Sequence, residues 1–125
     1  MESLRQSIAT YLKESYSLKF SYKDEILVTV GASEGVDLSL RTIINPGDEV
    51  IIPTPTFVSY SPLVTLSGGK SISLDTTGTD FLPDIKQLKS LITEKTKAII
   101  LCSPNNPTGA VIPKKILQKI AVLAH

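Results

Sequence analysis

Two prolines bracket a pair of asparagines in Ser103-Pro104-Asn105-Asn106-Pro107-Thr108-Gly109, directly after the apolar run Ala98-Ile99-Ile100-Leu101-Cys102. The run reads as a buried strand, and the polar segment as a stiff loop leaving its carboxyl end. Proline fixes φ, so a side-chain amide held between prolines is aimed, and an amide both donates and accepts hydrogen bonds. Ligands of open α/β sheets sit outside the carboxyl ends of strands, although Pro, Asn and Gly also build ordinary turns. A second candidate is Gly31-Ala32-Ser33, after Leu27-Val28-Thr29-Val30. A strand-to-helix turn exposes unpaired backbone N–H groups at the positive end of the helix dipole, where a phosphate fits. Gly31 would let the backbone come close. Ser33 would either add its hydroxyl to the anion or cap the helix. The segment matches neither the G-x-G-x-x-G fingerprint nor the P-loop, which argues against a dinucleotide or a nucleoside triphosphate. The third candidate is Phe57, just past Pro53-Thr54-Pro55. An aromatic ring there either lies over a flat heterocycle or fills the core. Tyr60 shares its face if the segment is helical, and reads as packing.

The elements that must carry these residues alternate in type. Leu4, Ile8, Tyr11 and Leu12 repeat at helical spacing and predict a helix over 2–16. A strand from Ile26 to Val30 follows, then a helix carrying Val36, Leu40, Ile43 and Ile44 that Asn45-Pro46-Gly47 ends. Val50-Ile51-Ile52 is a strand closed by Pro53. A helix near 57–66 is made irregular by Pro62. Ser67-Gly68-Gly69 is a turn, and Ile72 and Leu74 alternate as in a strand. Ile85, Leu88, Leu91 and Ile92 mark a helix starting near Pro83, strand 98–102 comes next, and Pro113 opens a last helix with Ile116, Ile120 and Leu123 inward. Strands alternating with helices imply βαβ units and a mainly parallel sheet with helices on both faces. No repeat, linker or low-complexity tract interrupts them.

Composition narrows the function class. A chain of 125 residues is one domain by size. A net charge of +1 suggests neither nucleic acid nor an anionic membrane as a partner. No apolar run reaches the length of a membrane span, and no signal-peptide pattern opens the chain. The single cysteine, Cys102, permits no internal disulfide, which fits a reducing cytoplasm, and reads as a small buried hydrophobe. His125 is the only histidine and the last residue, so histidine-based acid–base catalysis is a poor reading. No metal-ligand pattern is present.

Four segments in order carry a resemblance. They are Leu27 to Gly35, Asn45-Pro46-Gly47-Asp48-Glu49-Val50-Ile51-Ile52, Pro53-Thr54-Pro55-Thr56-Phe57-Val58-Ser59-Tyr60, and the Asn-Pro-Thr-Gly loop at 106–109. Together they resemble the class I/II aminotransferases, the fold-type I pyridoxal-phosphate enzymes, over essentially the whole chain. The resemblance implies a three-layer α/β/α domain with a mainly parallel sheet, residues 1–125 forming part of the family's large, cofactor-binding domain. It implies pyridoxal 5'-phosphate as cofactor. Ala32 and Ser33 would hold its phosphate, Phe57 would stack on its ring, and Asn106 would hydrogen-bond its ring oxygen. Glu34 would point away from the phosphate, towards the first helical turn. Cis peptide bonds are expected at Thr54-Pro55 and Asn106-Pro107. The activity implied is transfer of an amino group between an amino acid and a 2-oxo acid, in a homodimer.

The family's Schiff-base lysine, pyridinium-facing acid and substrate-binding arginine all lie beyond the Asn-Pro-Thr-Gly loop. Here Lys114, Lys115 and Lys119 follow it, on a helix whose solvated face they form, so no catalytic residue is assigned. Met1 falls where the family's large-domain helix already starts. The chain therefore reads as an internal piece of a protein several-fold longer and as inactive by itself. A lyase of the same fold, an aminotransferase-like ligand-sensing domain of a transcription regulator, and an inactive truncated product are the alternatives.

Overall fold

A computed structural model describes residues 1–124; His125 lies outside the described residues. It divides into two compact units, Met1–Gly35 and a second that begins at Val36.

The first unit is α1 (Glu2–Tyr16) followed by irregular chain. Ser17 closes the helix in the left-handed conformation (φ 59°), its N–H donating to Lys13 O at 3.1 Å while the N–H of Leu18 donates to Leu12 O at 3.2 Å. The Arg5 guanidinium donates to the carbonyl of Lys23 at 2.9 Å, pinning the turn that follows. The strand expected over 26–30 is not formed. A strand needs a ladder partner, and this unit contains no other strand among the described residues. Leu27 and Val30 are accordingly exposed, at 74% and 90%. The apolar alternation is real but has nothing to pair with.

The second unit is the layered body. Helix α2 (Ala32–Ile43) begins at the end of the first unit and runs into it. Then follow β1 (Glu49–Thr54), α3 (Tyr60–Leu66), β2 (Lys70–Asp75), α4 (Ile85–Leu91), β3 (Thr96–Ile99) and α5 (Lys114–Leu123). The three strands form a wholly parallel sheet in the order β2-β1-β3. Strand β1 is therefore central, and its side chains feed two cores. Val50 and Ile52 join Leu40, Ile44 and Val64, with α2 and α3 covering that face. Ile51 joins Leu74, Leu88 and Ile120, with α4 and α5 covering the other. This is the expected three-layer α/β/α arrangement, set by the period-two alternation of a central strand buried on both sides.

Proline positions fit the elements closely. Strand β1 does not stop at Pro53 but continues to Thr54. Ile51 accepts from the N–H of Ile100, so it and Pro53 face the β3 side by alternation. The last β3 pairing is Ile51 with Ile99, so the missing N–H of Pro53 falls past the end of that ladder. Pro62 is the third residue of α3, where a backbone N–H has no intrahelical acceptor to lose. Asp84 caps α4, accepting from the N–H of Gln87 at 2.8 Å.

Gly69 marks the tightest approach in this unit. A Cβ built there would meet Ile44 at 3.0 Å, Val64 at 3.1 Å and the carbonyl of Asp48 at 3.2 Å. That carbonyl also accepts from Lys70 at 2.7 Å, which starts the β1–β2 ladder, so it has little freedom to move. Gly69→Ala is expected to destabilise by about 1–3 kcal/mol, the usual range for overpacking. Urea unfolding checks it, with Gly78→Ala as the control because a Cβ there meets nothing.

Candidate functional site

The strand order makes a crevice. The chain leaves β1 for β2 on one side, then returns across β1 to β3 on the other. The connection after β1 leads to α3 on one face, and the connection after β3 leads to α5 on the opposite face. The carboxyl ends of β1 and β3 thus form a topological switch point, where open α/β sheets bind ligands. Phe57 lies three residues past the end of β1, and Asn106 lies in the loop after β3. Both candidates belong to this one edge of the sheet.

The loop after β3 is held by its own polar groups. The Asn105 N–H donates to Ala110 O at 2.9 Å, and the Gly109 N–H to Asn105 O at 2.7 Å. Thr108 Oγ1 accepts from Asn105 Nδ2 at 2.9 Å and from the Ala110 N–H at 3.2 Å. Ser103 Oγ accepts from the N–H of Ile112 at 2.9 Å. Peptide bonds Thr54-Pro55 and Asn106-Pro107 are cis, as expected, and Ser103-Pro104 is cis as well, which was not.

The two asparagines divide the work. Asn105 is half-buried, and its Nδ2 also donates to Pro55 O at 3.0 Å, fifty residues earlier. Asn106 is exposed, and its side chain has no hydrogen-bond partner among the described residues. One amide is spent on the loop; the other is left available. Sequence reading singles out Asn106 and misses Asn105, because two adjacent asparagines between prolines carry no local signal telling which one turns inward.

On the β1 side, Thr54 is anchored from β2. Its carbonyl accepts from both the N–H and the Oγ1 of buried Thr76 at 2.9 Å, and its Oγ1 shares a 2.7 Å hydrogen bond with Ser73. Phe57 is half-buried and belongs to neither core cluster, which removes the core reading left open above. Its ring meets the Tyr60 ring edge-on, with centroids 5.5 Å apart and planes at 75°. Tyr60 packs on the α2–α3 core, as its packing role requires. Burial and a hydrogen bond with the Cys102 thiol push the Tyr60 phenol above its ordinary value. Cys102 is half-buried rather than a core residue, and its thiol donates to Pro104 O at 3.3 Å.

The third candidate, Ala32 and Ser33, lies in the first unit. Both are exposed. Ser33 is the second helical residue of α2, not its cap, and its hydroxyl has no partner among the described residues. The capping alternative for Ser33 is thereby removed. Gly31 has φ +83°, a conformation that glycine adopts without strain, so it serves the turn. Glu34 accepts from the backbone N–H of Val30, two residues before the start of α2. Lys114, Lys115 and Lys119 are all exposed on α5. Among the described residues, no group of His, Cys, Asp and Glu side chains could hold a metal ion, and no helix is long and apolar enough to cross a membrane.

Comparison with known proteins agrees with this arrangement. The profile of the family "aminotransferase class I and II" matches residues 1–125. The aspartate aminotransferase of Pyrococcus abyssi is 43% identical over 125 residues, which is 99% of this chain and 32% of that protein. The bifunctional aspartate aminotransferase and glutamate/aspartate-prephenate aminotransferase of Petunia hybrida is 44% identical over 94% of this chain and 25% of its own length. The crystal structure of the aromatic aminotransferase from Pyrococcus horikoshii superposes with a TM-score of 0.93 at 42% identity, covering 99% of this chain and 34% of that one. The chain spans between a quarter and about a third of the length of these relatives.

Proposed function

Because the chain belongs to the class I and II aminotransferase family, we propose that it supplies the cofactor-binding portion of a pyridoxal-phosphate-dependent enzyme that transfers an amino group between an amino acid and a 2-oxo acid. The observation that carries the reading is the division of labour in the loop after β3. Asn105 is committed to structure, while Asn106 presents an unpartnered amide at the switch point. An exposed amide with no protein partner is what a ligand oxygen at that edge requires.

The remaining residues suit the same group. Pyridoxal phosphate is a planar heterocycle with a phosphate and a phenolic oxygen. Ser33 has a hydroxyl without a protein partner on the first turn of α2, whose backbone N–H groups favour an anion. Phe57 lies outside both cores and has an aromatic surface to offer a flat ring. Asn106 Nδ2 would donate to the ring oxygen, favour its ionised form and so keep the proton off that atom. Glu34 is held by the Val30 N–H and would not oppose the phosphate. When bound, the cofactor supplies the electron sink that makes amino-group chemistry possible. The assignment of Ala32 and Ser33 to the same cofactor as Phe57 and Asn106 is carried by the family membership. The relatives named above are aspartate, glutamate/aspartate-prephenate and aromatic aminotransferases, and this chain's own substrate pair is proposed only as an amino acid and a 2-oxo acid.

The test is a titration of the isotope-labelled chain with pyridoxal phosphate, followed by nuclear magnetic resonance. Ser33, Phe57 and Asn106 are expected to move together on one weak saturation curve. Asn106→Ala is expected to weaken that curve about tenfold, the scale of a hydrogen bond to a charged oxygen. Shifts confined to lysines, with Ser33 and Asn106 still, would defeat the reading.

A further inference from the structure

The loop after β3 and the segment after β1 are joined by contacts that neither core requires. Asn105 Nδ2 donates to Pro55 O at 3.0 Å and to Thr108 Oγ1 at 2.9 Å. Tyr60 meets Phe57 edge-on on the β1 side, and the Cys102 thiol donates to Pro104 O at 3.3 Å on the β3 side. Pro55 stands two residues before Phe57, and Asn105 one residue before Asn106. The Asn105–Pro55 bond therefore ties the backbone that carries Phe57 to the backbone that carries Asn106. It crosses the switch point, where the two loops leave for opposite faces of the sheet and no ladder hydrogen bond holds them together.

We infer that Asn105 is a positioning residue: its amide locks the Asn106 loop to the Phe57 segment, so that the hydrogen-bonding amide and the aromatic ring face a ligand at a fixed separation. The inference rests on the functional reading above for the identity of that ligand, but not for the lock itself. Asn105 need touch no ligand; it acts through Pro55 O and Thr108 Oγ1. The bonds are part-buried, so each carbonyl or hydroxyl left without its donor would have to find water in a confined space. The side chain also lines a small cavity with Thr56, Thr76 and Cys102. Asn105 can satisfy both acceptors because a primary amide carries two N–H donors on one nitrogen. An aspartate of the same shape carries none when ionised.

The experiment compares the 125-residue chain with Asn105→Ala, Asn105→Asp and Thr108→Val. It reads the Asn106 amide and Phe57 ring signals by nuclear magnetic resonance, and hydrogen exchange at Val50, Ile51 and Ile52. Without any ligand, Asn105→Ala and Asn105→Asp are expected to broaden or double the Asn106 and Phe57 signals together. The central-strand amides should keep protection within about threefold of the original, because local opening does not require the core to open. Thr108→Val removes one acceptor and is expected to disturb Asn106 more than Phe57. Pyridoxal phosphate is then added, and both Asn105 variants should bind about tenfold more weakly, the scale of losing one hydrogen bond's worth of preorganisation. If Asn106 and Phe57 stay sharp and unshifted in Asn105→Ala, the lock does not exist. If strand protection falls as far as the loop signals do, Asn105 maintains the fold and does not position the loop. Both results overturn the inference. If the ligand-free signals respond as expected but pyridoxal phosphate moves nothing in the original chain, the functional reading fails and the lock stands.

Discussion

Reduction of a mixture of the 125-residue chain and pyridoxal phosphate with borohydride is expected to label no single lysine stoichiometrically, and the mixture is expected to transfer no amino groups beyond the rate of free cofactor. A lysine that forms a productive imine is activated by desolvation or by a cationic neighbour in a pocket. Every lysine of this chain is exposed, Lys114, Lys115 and Lys119 included, and Lys70 is occupied with Glu49 at 3.7 Å. Mass spectrometry after reduction should find sparse label spread over several surface lysines. Phosphate-binding and ring-facing groups can hold the cofactor, but they do not replace a covalent anchor, and the effect on turnover is all or none. One fully labelled lysine among the three on α5, together with transfer between an amino acid and a 2-oxo acid, would show that the chain carries its own catalytic base.

The second large effect is on stability. Leu88→Ala is expected to cost about 3 kcal/mol, within the range for truncating a fully buried leucine. Leu88 is completely buried with Ile51, Leu74 and Ile120, in the core that joins α4 and α5 to the sheet. Helix α4 is only seven residues long, Leu88 is its one fully buried residue, and Asp84 caps it. Domains of this size have a total stability of about 5–15 kcal/mol, so the loss should lower the melting temperature by roughly 10–20 °C. Val122→Ala on α5, where the side chain is 76% exposed, is the control and should change stability by no more than about 0.5 kcal/mol. Calorimetry that finds the two variants alike would mean that this face of the sheet is not packed as described.

Helix spacing alone located α1, α2, α4 and α5, and the burial of Leu40, Leu88 and Ile120 follows from it. Those patterns are local: one face of a helix meets the core whatever the partner is. The placement of Asn106 and Phe57 beyond the carboxyl ends of strands was also legible, because each follows an apolar strand pattern. Pairing was not legible. Residues 26–30 have the composition of a strand, yet a strand exists only against a neighbour, and nothing in a local window says whether one is within reach. Pro53 looked like a strand end for the same reason. It is tolerated in β1 because the ladder with β3 ends two residues earlier, at Ile51, a fact about the neighbouring strand and not about Pro53.

The order β2-β1-β3 lies further beyond local reading, since alternation predicts parallel strands without saying on which side of β1 each will lie. That order is what creates the crevice at the ends of β1 and β3. The tertiary structure also decided between two chemically identical neighbours. The sequence determined that an amide would stand between prolines at the end of a strand. Only the approach of Pro55 O, brought there by the pairing of β1 with β3, determined that Asn105 would be consumed in holding the loop and Asn106 left with its amide unpaired.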